Sequence, residues 1–389
     1  MSDRRNALTV ASIFLLAICL RPAITSVGPV LERIGDQQHL SEGAQGVLGA
    51  LPLLAFASVS PLVHRLARRT GAELAVVGSL LVLGLGLVLR SWSGSVGLWV
   101  GTAVAGAAIA VGNVLGPTLV KRDFYGRVSR AMGLYTAFIT GAAATASAIS
   151  VPLANATSWR VALAVWAVPA FAVALLWIPR ARNAARAPAP AEDPTAPTAT
   201  SVWTSPTAWL VTGYMGLQST TFYITITWLP SIETDHGISS TVAGLHLFAA
   251  QGAGIVGGLG IPLLMRGRSQ VTAAIAAAVP VVISVFGILL APSLFLLWAI
   301  CSGLGTGSAL VVALALISLR GRTPHETTQL SGMAQSLGYL LATAGPIAAG
   351  LLHQLTGTWT ASLLMVAGIA GLQILVSLRV GRPPESVGR

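Results

Sequence analysis

The sequence predicts an all-α integral membrane fold, with twelve transmembrane helices shared between two pseudo-symmetric six-helix bundles. Three observations predict it. Of the 389 residues, 54% are apolar and only 9% are charged, whereas a soluble domain carries about 25% charged residues. A water-soluble protein of this make-up would have no polar coat. Apolar runs recur along the chain at lengths near the ~20 residues that a helix needs to cross ~30 Å of hydrocarbon. Between them the basic residues alternate, crowded in every second gap and sparse in the others.

The first six runs fall at about 7–31, 44–63, 73–90, 97–120, 131–154 and 160–178. The first resembles a secretory signal in part, since Arg4 and Arg5 precede the apolar stretch from Ala7 to Leu20. Arg21-Pro22 follows directly, and apolarity resumes to Leu31 without a small-residue cleavage site, so an uncleaved span is expected. Residues 179–206, rich in Pro, Ala and Thr, read as a linker. The linker divides the chain into an N-terminal bundle, 1–178, and a C-terminal bundle, 207–389. The second six runs lie at about 207–231, 240–264, 271–290, 294–318, 327–352 and 360–379.

Nineteen Lys and Arg residues fall on the side of the termini and linker, against three (Arg33, Arg90 and Arg160) on the other. Basic residues are retained in the cytoplasm, so both termini and the linker are expected there, in a multi-pass protein of the cytoplasmic membrane. The net charge of +11 is thereby read as topology. No basic helix interleaved with aromatics accompanies it, and nucleic acid is not an expected partner. Cys19 and Cys301 lie inside apolar runs and read as packing residues. The halves echo one another, because Tyr135 precedes Trp159 and Gln335 precedes Trp359 by the same 24 residues. Secondary transporters build a central site between internal repeats of this kind.

Arg21 is the most informative residue. It interrupts the first run between Leu20 and Pro22, and an arginine at a span's centre costs about 2.5–3.5 kcal/mol unless it faces the protein interior or a wet cavity. A structural ion pair would need an acid at similar depth. The twelve acids all fall in loops or at the ends of runs. A guanidinium in such a place favours an anionic or electron-rich ligand, and its planar fork suits a carboxylate-like or nitro-like group.

Other polar and aromatic residues within runs are candidates to complete a pocket: Asn113, Gln218 with Phe222 and Tyr223, Gln251, and Gln335 with Tyr339 four residues on. The last two share a helix face. Helix–helix hydrogen bonding is the alternative reading for each amide. Trp228 reads as an interfacial anchor or gate. His246 is a candidate for proton coupling, with a structural histidine as the alternative. The glycines, as in Gly252-Ala253-Gly254 with Gly257-Gly258, read as helix-packing and hinge positions. No Walker motif, zinc spacing, nucleophile elbow or paired-acid arrangement occurs, so no cofactor, metal or enzymatic activity is expected.

The two-half pattern resembles the major facilitator superfamily. In that family the loop after the second span carries Gly-x-x-x-Asp-Arg-x-Gly-Arg-Arg. Here Ser60-Pro61-Leu62-Val63-His64-Arg65-Leu66-Ala67-Arg68-Arg69 keeps the basic residues and replaces the Asp with His64. Narrower similarity lies in Leu20-Arg21-Pro22-Ala23-Ile24-Thr25, Gly112-Asn113-Val114-Leu115, Gly216-Leu217-Gln218-Ser219 with Phe222-Tyr223, and Ser331-Gly332-Met333-Ala334-Gln335 with Tyr339. Together these resemble the cyanate / 2-nitroimidazole permease family. The resemblance implies a permease for small anions or nitro-aromatic compounds, with Arg21, Asn113, Gln218, Tyr223, Gln335 and Tyr339 at matching positions.

The expected function is therefore alternating-access transport of a small anionic or nitro-containing molecule by a monomer in the lipid bilayer. A drug/proton antiporter is the alternative within transport, and it calls for a buried acid. A membrane-embedded sensor or enzyme is the alternative outside it.

Overall fold

The computed structural model describes residues 2–124, 128–184, 202–265, 269–321 and 324–382. Most of the expected linker (185–201) lies outside the described residues, as do Arg127, Arg186, Arg266, Arg268, Arg322 and Arg389 of the charge pattern. Among the described residues the regular structure is helical. The helices are α1 (Ser2–Leu20), α2 (Pro22–Thr25), α3 (Leu31–Gln38), α4 (Glu42–Thr70), α5 (Ala72–Trp92), α6 (Gly94–Asp123), α7 (Val128–Ala156) and α8 (Trp159–Ala164). They continue with α9 (Ala167–Ala184), α10 (Pro206–Asp235), α11 (Ser240–Gly260), α12 (Val271–Leu290), α13 (Phe295–Arg320), α14 (Pro324–Thr356) and α15 (Thr360–Val380).

Among the described residues, eleven helical segments are long and apolar enough to cross a membrane. With 30 residues, α10 has the length but is not one of them. Its burial explains why. It packs against α13, α14 and α15, and Gln218, Ser219, Thr220, Thr221, Thr227 and Ser231 are all buried. A helix wrapped in protein presents no face to lipid, so hydroxyl and amide side chains are tolerated where carbonyls accept their protons. Thr220 Oγ1 donates to the Gly216 carbonyl at 2.8 Å and Thr225 Oγ1 to the Thr221 carbonyl at 2.9 Å.

The chain divides into two compact units. One comprises Met1–Leu40, Leu51–Ala191 and Ser239–Phe248. In it α5 packs on α6 and α9, and α1 and α2 pack on α7. Charges bind the helix ends together. Arg122 of α6 reaches Glu73 of α5 at 2.6 Å and Asp123 at 2.8 Å, while Arg180 of α9 pairs with Asp123 and lies over Trp177. The Trp177 indole donates to the Ser12 carbonyl of α1 at 2.9 Å.

The other unit comprises Ser41–Ala50, Glu192–Ile238 and Ala249–Arg389. There α10 and α14 approach closely through small residues. A Cβ on Gly338 would lie 3.2 Å from the Gly216 nitrogen, and one on Gly345 would lie 2.6 Å from Thr220 Cγ2. Close backbone approach of this kind is how helices associate where lipid supplies no hydrophobic drive.

The 24-residue echo has a structural counterpart inside each unit. Trp159, at the start of α8, donates its indole N–H to Gln37 Oε1 near the end of α3 at 2.7 Å. Trp359, immediately before α15, donates to Asp235 Oδ2 at the end of α10, also at 2.7 Å.

Candidate functional site

The expected first run, 7–31, lies largely within one membrane-length segment, Ala11–Gln38, whose helix is interrupted where Arg21 sits. α1 stops at Leu20, α2 starts at Pro22, a 3₁₀ turn covers Gly28–Val30, and α3 follows. Pro22 has no N–H for the carbonyl four residues earlier, which ends the helix there. The freed backbone is satisfied locally and by two neighbours. The Arg21 carbonyl accepts the Ile24 and Thr25 amides at 3.0 and 3.1 Å. Thr25 Oγ1 donates to the Ala143 carbonyl of α7 at 3.0 Å, and Ser147 Oγ donates to the Thr25 carbonyl at 3.3 Å.

The second neighbour is Arg90, which the charge count assigned to an exposed loop side. It is only 2% exposed. Its Nη1 donates to the Ala23 carbonyl at 2.7 Å and its Nη2 to the Leu163 carbonyl at 3.4 Å. An arginine thus caps the broken segment that carries another arginine. Its sequence signal was a cation on the last residue of an apolar run, a place that topology alone explains.

From Cys19 to Leu31 every residue is buried except Arg21, which keeps accessible surface. Asn113 of α6, half-buried, follows Gly112, where a Cβ would collide with the Leu20 side chain. Asn113 and Arg21 therefore flank one helix contact within the first unit.

The remaining candidates, apart from His246, belong to the second unit. The Phe222 and Tyr223 rings meet edge to face with centroids 5.2 Å apart, and Tyr223 meets Tyr339 at 6.3 Å. The close α10–α14 contact at Gly216 and Gly338 brings these rings together. Gln218 Nε2 donates to Ser219 Oγ at 2.7 Å, and Gln335 Nε2 donates to Ser331 Oγ at 2.8 Å, so each amide is oriented by a hydroxyl on its own helix. Gln251 is buried on α11. His246, half-buried on the same helix, counts with the first unit.

Trp228 is 1% exposed and donates to the Pro346 carbonyl at 2.8 Å, which corrects the reading of an interfacial anchor. Two further titratable groups escaped the sequence reading. Glu233, in the last turn of α10, is fully buried. His353, one residue past the expected eleventh run, lies in the last turn of α14, which continues to Thr356.

The sequence profile of the Major Facilitator Superfamily matches residues 13–344. The chain is 39% identical to the uncharacterized transporter YycB of Bacillus subtilis over 93% of this chain and 92% of that protein. It is 36% identical to the 2-nitroimidazole transporter of Escherichia coli over 99% and 98%, and 27% identical to the cyanate transport protein CynX of Escherichia coli over 94% and 95%. In three dimensions it superposes with a TM-score of 0.77 on a bacterial homologue of the human lysosomal transporter Spinster. That crystal structure is inward-facing and unoccupied, shares 13% identity, and the match covers 97% of this chain and 99% of the other. A broken first span in an all-helical, multi-pass chain, matched end to end by such relatives, is thus that of a membrane transporter, and the protein belongs to the Major Facilitator Superfamily, in its cyanate / 2-nitroimidazole permease family.

Proposed function

We propose that this transporter carries a small planar anion or nitro-aromatic compound across the cytoplasmic membrane by alternating access. The observation that carries the reading is Arg21, set at a break in the first span as the one position from Cys19 to Leu31 that is not buried. A guanidinium inside a span faces the protein interior or a wet cavity, and its two-pronged donor geometry matches a nitro or carboxylate group. The printed activities of two relatives, 2-nitroimidazole transport and cyanate transport, support the same chemistry. In this reading Asn113, Gln218, Gln251 and Gln335 contribute hydrogen bonds, and Phe222, Tyr223 and Tyr339 contribute stacking surface. Counting α10 as the twelfth span gives two six-helix bundles, 1–178 and 207–389, joined by the linker 179–206. The basic bias supports termini and linker in the cytoplasm, and the working unit is a monomer.

The test is counterflow of labelled 2-nitroimidazole or cyanate in proteoliposomes that contain only this protein. Arg21→Ala is expected to lower the rate about 10- to 100-fold, the equivalent of one charge-assisted hydrogen-bonded contact of roughly 1.5–3 kcal/mol. Arg21→Lys is expected to recover part of it, since Lys keeps the charge and loses the fork. Wild-type rates in both variants would remove Arg21 from the site.

A further inference from the structure

Within the first unit, α4 runs on past the length that hydrocarbon requires. Its apolar, membrane-length part is Glu42–Val63, and the helix continues to Thr70. Arg65, Arg68 and Arg69 follow Val63 by two, five and six residues, a distance of about 3–9 Å at ~1.5 Å per residue. The headgroup layer occupies roughly the first 5–8 Å outside the hydrocarbon core. The three guanidiniums therefore stand at headgroup depth. All three are exposed, and among the described residues they alone line a concavity of about 430 Å³.

The acids beside them are already engaged. Glu73 and Asp123 pair with Arg122 and Arg180, whereas none of Arg65, Arg68 and Arg69 has a side-chain ion pair or hydrogen bond with a described residue. The C-terminal end of a helix dipole favours a cation in the last turn. It does not call for three around one hollow, because like charges three and four residues apart repel one another. An anion in the hollow removes that repulsion. The same helix face is apolar as well as basic. Leu62 and Leu66, 53% and 40% exposed, recur with Arg65 and Arg69 at spacings of three, four and seven. Helical side chains lean toward the helix N-terminus, which directs these leucines back toward the hydrocarbon. The face fits a molecule that is anionic at one end and apolar at the other.

We propose that Arg65, Arg68 and Arg69 bind the phosphodiester of an anionic phospholipid, with its acyl chains against Leu62 and Leu66. Guanidinium suits the task, since its fork meets two phosphate oxygens with parallel N–H donors. The site lies apart from the substrate residues and rests only on the chain being a multi-pass membrane protein.

The test is the melting temperature of the full chain in an uncharged detergent, titrated at constant ionic strength with phosphatidylglycerol, phosphatidylcholine or inorganic phosphate. Phosphatidylglycerol is expected to raise it saturably, beyond any rise that the other two give. Neutralising the site with Arg65→Gln, Arg68→Gln and Arg69→Gln together should abolish the difference. Neutralising three exposed arginines elsewhere, with Arg182→Gln, Arg379→Gln and Arg382→Gln, should keep it. Equal rises from phosphatidylglycerol and phosphatidylcholine overturn the proposal, and a rise of the same size from inorganic phosphate assigns the hollow to a free anion instead. Retention of the difference in the first triple variant, or its loss in both, also overturns it. If either triple variant fails to fold, the single variants at 65, 68 and 69 decide. Each is expected to raise the half-saturating phosphatidylglycerol concentration about fivefold, the equivalent of ~1 kcal/mol per basic residue at a membrane surface. Unchanged half-saturation in all three overturns the proposal.

Discussion

Arg21 and Arg90 are the same side chain in two settings. Arg21 is half-buried at a helix break, and Arg90 is buried with its donors on the carbonyls of Ala23 and Leu163. Removing Arg90 orphans a buried carbonyl beside Pro22. Arg90→Met, which keeps the apolar stem, is expected to destabilise the protein by about 1.5–3 kcal/mol, the range for a hydrogen bond to a charged group. A drop in melting temperature in detergent, with substrate preference among nitro compounds unaltered, would show it. An unchanged melting temperature would mean that the break does not depend on Arg90. The sequence made Arg21 legible because a cation inside an apolar run needs a reason. Arg90 and His353 stand where a run ends, and there a polar residue needs none. Their contacts are with partners 67 residues away for Arg90 and on α4 and α10 for His353, which no local pattern announces.

Among the elements, the broken first span and the polar α10 departed most from simple periodicity, and the run 160–178 became two helices, α8 and α9, the second continuing to Ala184. Other boundaries were legible: the runs 73–90 and 360–379 became α5 (Ala72–Trp92) and α15 (Thr360–Val380). Pro22 was in plain view, yet a proline in a span can kink a helix or end it. The difference here lies in Arg90 and Ser147 taking up the Ala23 and Thr25 carbonyls beyond the break. Pro22→Ala restores an N–H for the Ile18 carbonyl and removes the main obstacle to a continuous α1–α2. It should keep or raise the melting temperature while lowering counterflow about tenfold, the equivalent of ~1.4 kcal/mol on the barrier. Wild-type counterflow in this variant would mean the break is not needed for transport.

At the scale of the molecule, charge placement makes the topology testable. Arg68 is exposed at the end of α4, and Thr157 is exposed between α7 and α8. With Cys19 and Cys301 replaced by Ser, Arg68→Cys should react with a membrane-impermeant maleimide only from the cytoplasmic side. Thr157→Cys should react only from outside. The reverse pattern would invert the chain. Among the described residues, eleven of the twelve expected apolar runs are long and apolar enough to span, and they were legible in the sequence because span-length apolarity is a property of a single segment facing lipid. The packing of α10 was not, because it depends on α13, α14 and α15 arriving later in the chain.

That late arrival bears on biogenesis. When α10 leaves the ribosome, the helices that will cover Gln218 and its threonines have not been made, and lipid is a poor solvent for them. It must therefore wait beside the insertion machinery, or in contact with earlier helices, until translation has passed residue 380. Maturation of this half of the protein is a concerted event governed by its last two helices, and a chain terminated before them leaves α10 stranded between solvents.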